Sequence, residues 1–170
     1  MSPLSRRFLP SVLLGTSLLP ALLFAQAPAD KPEAEDLVVG TWILNREKSR
    51  FEPGPGPASQ TRTYEPAGDR MKATINTVDA EGRAISSEYV AGYDSLEHPF
   101  TGSPNFDTIS MRRISAYVAE ATLRHAQAII GTAERVIARD GKSMTITYKG
   151  MDQSGQQVEI EAHYDKREKP

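Results

Sequence analysis

Between Ala133 and Gly150 the chain reads AERVIARDGKSMTITYKG, two runs that alternate in character on either side of Asp140-Gly141. A period of two suits a strand with one dry and one wet face, whereas a helix brings residues three and four apart onto one side. On the second run Met144, Ile146 and Tyr148 share one face, and Thr145, Thr147 and Lys149 share the other. An Asp-Gly pair supplies the positive φ that a two-residue type I′ turn demands, so the segment predicts a β-hairpin. The last run, VEIEAHYDK, sets Val158, Ile160, Ala162 and Tyr164 against Glu159, Glu161, His163 and Asp165. Similar runs lie at 60–66, 70–79, 84–93 and 107–114, with a turn over Asp79–Gly82, and VVGTWILN opens the series.

So many sequential strands with short links would leave unpaired edges in an open sheet, and closure removes them. The expected fold is therefore all-β: an antiparallel up-and-down barrel of about 8–10 strands. Residues 115–139 fit less simply. Their alanines suit a helix, yet Tyr117, Ala119, Ala121 and Leu123 alternate with Val118, Glu120, Thr122 and Arg124, and Gly131 would weaken a helix interior. We read two strands with a turn near His125–Ala128, a helix being the other reading.

Residues 1–25 stand apart. Arg6 and Arg7 precede an apolar run from Leu9 to Phe24, followed by AQA, the arrangement of a secretory signal peptide. Pro10, Gly15 and Pro20 interrupt that run, which reads as a cleaved leader rather than a membrane anchor. General secretion and twin-arginine export both fit the two arginines. The expected organisation is a signal peptide over 1–25, a flexible acidic linker over 26–36, a barrel over 37–166 and a tail over 167–170, with the product periplasmic or secreted. No cysteine is present, so packing without disulfides must hold the fold. The formal net charge of −2 offers no electrostatic reason to bind nucleic acid.

Gly40, Thr41 and Trp42 match the Gly-x-Trp of lipocalins, and Tyr164, Asp165 and Lys166 resemble the Tyr-Glu-Lys that often ends fatty-acid-binding chains. Over residues 38–166 the chain resembles the calycin superfamily. Through GTWILNREKSRFEPGP, QTRTYEP and DGKSMTITYKG it is similar to exported bacterial lipocalin-like proteins within it. The resemblance implies a calycin-like barrel with Gly40 and Trp42 as a structural plug, and a plug arginine over the indole for which Arg167 and Arg135 are the candidates. Fatty-acid-binding chains carry a carboxylate-holding arginine two residues before the closing tyrosine; that position is Ala162 here. In place of a helical lid stands EKSRFEPGPGPAS, whose prolines favour a stiff loop across one barrel mouth.

Alternation places Trp42, Leu44, Ala73, Ile75, Tyr89, Ile109, Met111, Met144, Ile146, Val158, Ile160 and Tyr164 inward. Ile75, Tyr89, Ile109, Met111, Arg113, Met144, Ile146, Tyr148, Ile160 and Tyr164 are the candidates to line a ligand site. A barrel of this size either holds one small ligand or is packed solid. Tyrosine hydroxyls and one guanidinium of the pair Arg112-Arg113 are the candidate polar contacts. His98, His125 and His163 are isolated, so no metal site and no cofactor is expected, and no nucleophile and base fall at catalytic spacing. The function expected is non-catalytic binding of a small apolar or amphipathic molecule. The alternative is an envelope interaction or inhibitor protein that uses the loops of a filled barrel, its protein partner unknown.

Overall fold

The computed structural model describes residues 36–152 and 154–168. The leader expected over 1–25, the linker up to residue 35 and the end of the tail lie outside them. Ten strands follow in order: β1 Gly40–Glu52, β2 Ser59–Ala67, β3 Arg70–Val78, β4 Ala84–Ala91, β5 His98–Thr101, β6 Thr108–Arg113, β7 Val118–His125, β8 Ala128–Ile137, β9 Ser143–Met151 and β10 Gln157–Lys166. Each pairs antiparallel with its sequence neighbours, and β1 also pairs with β10, so the sheet closes into an up-and-down barrel. Loops after odd-numbered strands gather at one end, the mouth, and those after even-numbered strands at the other, the base.

Closure depends on β1, which serves two neighbours. Gly40–Ile43 pair with β2, while Trp42–Asn45 and then Arg50–Glu52 pair with β10 across an irregularity between Asn45 and Arg50. Ser49 mends that break: its hydroxyl donates to the Asn45 carbonyl at 2.6 Å and accepts the His163 amide at 2.9 Å. The ladder thus bends without orphaning the groups beside it.

The segment 115–139 forms two strands, β7 and β8, and no helix. They turn at Ala126 and Gln127, whose φ values of 46° and 68° are unusual without glycine. Gly131 is needed there for room, since a Cβ on it would stand 2.4 Å from the Tyr148 ring. The hairpin through Asp140-Gly141 exists, but its turn is longer than the two-residue type I′ link expected. Gly141 donates to the Ala138 carbonyl, Ala138 donates to Ser143, and of Asp140 and Gly141 only Gly141 is left-handed, with φ 68°. A right-handed turn closed by a left-handed glycine makes the connection.

At the base, Trp42 is fully buried and its Nε1 donates to the Val38 carbonyl at 2.7 Å. Lys166, paired with Trp42 across β1 and β10, lays its ammonium 5.0 Å from the indole centroid and donates to the Leu37 carbonyl. The cation over the tryptophan is this lysine, not Arg167 or Arg135. Gly40 has φ 128°, and a Cβ there would sit 2.8 Å from Lys166 Cε. Glycine therefore meets two demands at once, a backbone forbidden to side chains and the passage of the lysine. Asp36 is tied to the same end, accepting from the Val38 amide, the Tyr93 hydroxyl and Arg113.

Candidate functional site

Above the base the barrel is hollow. A cavity of about 530 Å³ opens at the mouth, where Phe51, Pro53, Pro55 and Phe106 border it. Its walls are the inward faces of most strands: Ile75 from β3, Ile109 and Met111 from β6, Leu123 from β7, Ile146 from β9 and Ile160 from β10. Small side chains make the space, because Ala119, Ala121, Ala133 and Ala162 stand where larger residues would fill it. A series of rings crosses the barrel from β4 to β9: Tyr89 to Phe100 with centroids 5.2 Å apart, Phe100 to Phe106 at 5.7 Å and Phe106 to Tyr148 at 5.7 Å. The proline loop after β1 crosses the mouth, and Gly56 lies so close to the Phe51 ring that a Cβ would come within 2.4 Å of it.

The inner end is polar and basic. Arg62 on β2 stands opposite Trp42 in the ladder and points to the same inward side. Its Nε lies 3.1 Å from Gln60 Oε1 and 3.0 Å from the Tyr164 hydroxyl, which itself donates to Gln60. Arg135 on β8 reaches in from the far wall, with its guanidinium carbon 5.5 Å from the Tyr64 centroid and a hydrogen bond to the Tyr93 hydroxyl. Arg135 Nε is buried without a hydrogen-bond partner among the described residues. Neither guanidinium has a carboxylate partner among those residues. Asp36 is connected to Arg135 only through Tyr93, and it is already paired with Arg113.

The phenols register this charge. Burial would raise the Tyr64 hydroxyl, but Arg62 and Arg135 outweigh it and hold that group below the ordinary tyrosine value of 10.0. Tyr89 is pushed well up, by burial first and then by Tyr64, and Arg135 and Arg62 offset this only in part. Burial works against the charge on Arg62 and Arg135, yet the surrounding phenol oxygens more than offset it and both titrate above the usual arginine value. Acidic groups at the mouth carry their own counter-charges: Asp79 and Glu81 meet Arg83, and Glu52 meets Arg50.

Of the residues expected to line a site, Ile75, Tyr89, Ile109, Met111, Ile146, Tyr148, Ile160 and Tyr164 border the cavity. Two do not. Met144 is buried in the packing below it, and Arg113 leaves the barrel at the end of β6, where it covers Tyr93 at 3.9 Å and pairs with Asp36. Its side chain is held by Asp36 and Tyr93 at the base, so parity with Ile109 and Met111 does not carry Arg113 into the cavity. Tyr148 turns its hydroxyl toward the Ile130 and Met151 carbonyls near the mouth. Arg62, Tyr64, Gln60 and Arg135, which form the inner end, were not among the expected lining residues. The signal for Arg135 is its place between Ala133 and Ile137 on one face of its strand; for Arg62 it is the same parity as Tyr64.

The histidines are spent elsewhere. His98 is buried against Asp94 at 3.0 Å, and His163 lies between Thr145 and Glu161. Among the described residues no cluster of three or more His, Cys, Asp or Glu is placed to hold a metal ion.

No protein-family model and no curated protein matches the chain. Among solved structures it is similar to the zebrafish ileal bile acid-binding protein, crystallised with cholic acid, at 11% identity and a TM-score of 0.44, over 77% of this chain and 99% of that one.

Proposed function

We propose that this chain is an exported, non-catalytic barrel that carries a small amphipathic molecule, with an anionic head against Arg62 and Arg135 and an apolar body along the wall toward the mouth. One observation carries the reading: a cavity of about 530 Å³, apolar along its sides, holds two guanidiniums at its inner end with no carboxylate against them among the described residues. A volume of that size falls within the roughly 300–1,000 Å³ of small-molecule sites. Partly desolvated cations without counter-ions are costly, and an entering anion relieves that cost while its tail leaves water. Export rests on the leader composition of residues 1–25, and the non-catalytic reading rests on the inner end, where Gln60, Arg62, Arg135 and the tyrosines offer binding contacts to an anion.

The alternative of a loop-based interaction protein needs a filled interior, and this cavity gives it no support. Calorimetric titration with laurate and with dodecanol tests the carrier reading. Laurate is expected to bind at least about tenfold more tightly, since a charge-assisted contact is worth roughly 1.5–3 kcal/mol. Native mass spectrometry of protein from its own host should then retain an anionic amphipath. Failure of both laurate and dodecanol to bind, with no retained mass, would remove the carrier reading.

A further inference from the structure

The charge balance at the inner end goes further than a preference for anions. Arg62 and Arg135 come from strands on different sides of the barrel, yet they converge on one residue: Arg135 faces the Tyr64 ring, and Arg62 acts on the Tyr64 hydroxyl. The carboxylate in the same network, Asp36, already has a full positive charge beside it in Arg113. Two cations therefore stand together with neither compensated among the described residues, and one carboxylate head would neutralise only one of them.

We propose that the ligand head is a compact dianion of the phosphomonoester class, held jointly by Arg62 and Arg135. This rests on the carrier reading above and narrows it. Convergence on Tyr64 favours both charges on one head over two charges spaced along a chain. A phosphate offers three acceptor oxygens, enough to take one guanidinium on each side and a tyrosine hydroxyl besides. The orphaned Nε of Arg135, the Arg62 guanidinium and the phenol of Tyr64 supply donors for them. Tyr64 stands where its acidity is greatest when the cavity is empty, and a bound dianion is expected to return its proton affinity toward the ordinary value.

The test titrates the full chain by calorimetry with dodecyl phosphate, dodecyl sulfate and dodecanol, all below their micelle concentrations. Phosphate monoesters lose their second proton near about pH 6, whereas the sulfate keeps one charge throughout. At pH 8 the phosphate should bind at least about tenfold more tightly than the sulfate, and the gap should close to about twofold at pH 5. Arg135→Gln should bring the phosphate down to the sulfate's affinity at pH 8; Arg62→Gln serves the same purpose should the first variant not fold. Equal affinity for phosphate and sulfate at pH 8 overturns the dianion while leaving the carrier reading intact. Dodecanol binding as tightly as both overturns head recognition altogether, and no binding by any of the three overturns both readings.

Discussion

Trp42 concentrates more of the stability of this barrel than its neighbours do. Its indole is fully buried, its N–H is satisfied by Val38 and its face is covered by Lys166. Trp42→Ala should cost about 3–5 kcal/mol, measured by urea denaturation followed by circular dichroism. Gly40→Ala should cost about 1–3 kcal/mol by forcing a side chain into left-handed backbone and into Lys166, again read from the urea midpoint. Asp36 gives a pH signature. Burial would raise its carboxyl, but Arg113, the Val38 amide and Tyr93 hold it below the ordinary value of 3.8. A depressed folded value means that its contribution is present above 3.8 and is lost as pH falls through the folded value. Asp36→Asn should therefore lower the urea midpoint at neutral pH, and the difference from wild type should close in the acid range below about pH 4. At this scale the sequence was a partial guide. Gly40 and Trp42 stand out by type and spacing, but Arg135 entered only as a candidate cover for the indole and Arg62 carried no signal of its own, because an arginine on a strand usually faces solvent and only burial in three dimensions distinguishes these two.

Strand alternation made nine of the ten strands legible, and β5 shows why one was not. His98–Thr101 is four residues long, contains Pro99 and ends against Gly102, so every local signal marks it as a loop. What makes it a strand is the gap it fills: it pairs through Tyr89–Phe100 and Glu88–Thr101 on one side and through His98–Ile109 and Pro99–Thr108 on the other. Long-range pairing of this kind is invisible to a local pattern. The seam is also thin, and the Thr108 hydroxyl beside it is buried without a partner among the described residues. Native-state hydrogen exchange should find the amides of β5 opening well before those of β9 and β10, which pair continuously from Gln157 to Asp165. Equal protection across these strands would show that the short strand is as firmly held as the long ones.

Across the whole molecule, closure and hollowness have separate origins. Closure follows from alternation, because ten amphipathic strands in sequence have no other way to remove their edges. Hollowness follows from side-chain size, with Ala119, Ala121, Ala133 and Ala162 standing on the lining strands where larger residues would meet in the middle. Alternation predicts which residues face inward and says nothing of whether they meet in the middle, so the sequence left a dry core and a cavity equally open. The inner basic end then turns a void into a site with a direction: charge at the base, apolar wall above, aromatic mouth. Intermolecular nuclear Overhauser effects between bound laurate and the methyl groups of Ile75, Ile109, Leu123 and Ile146 measure this arrangement most directly. This arrangement requires cross-peaks from the fatty chain to those methyls, with the carbons nearest the carboxylate closest to the aromatic protons of Tyr64 and Tyr164. Laurate that binds with cross-peaks only to outward-facing residues such as Ile43 and Val90, or not at all, would contradict it.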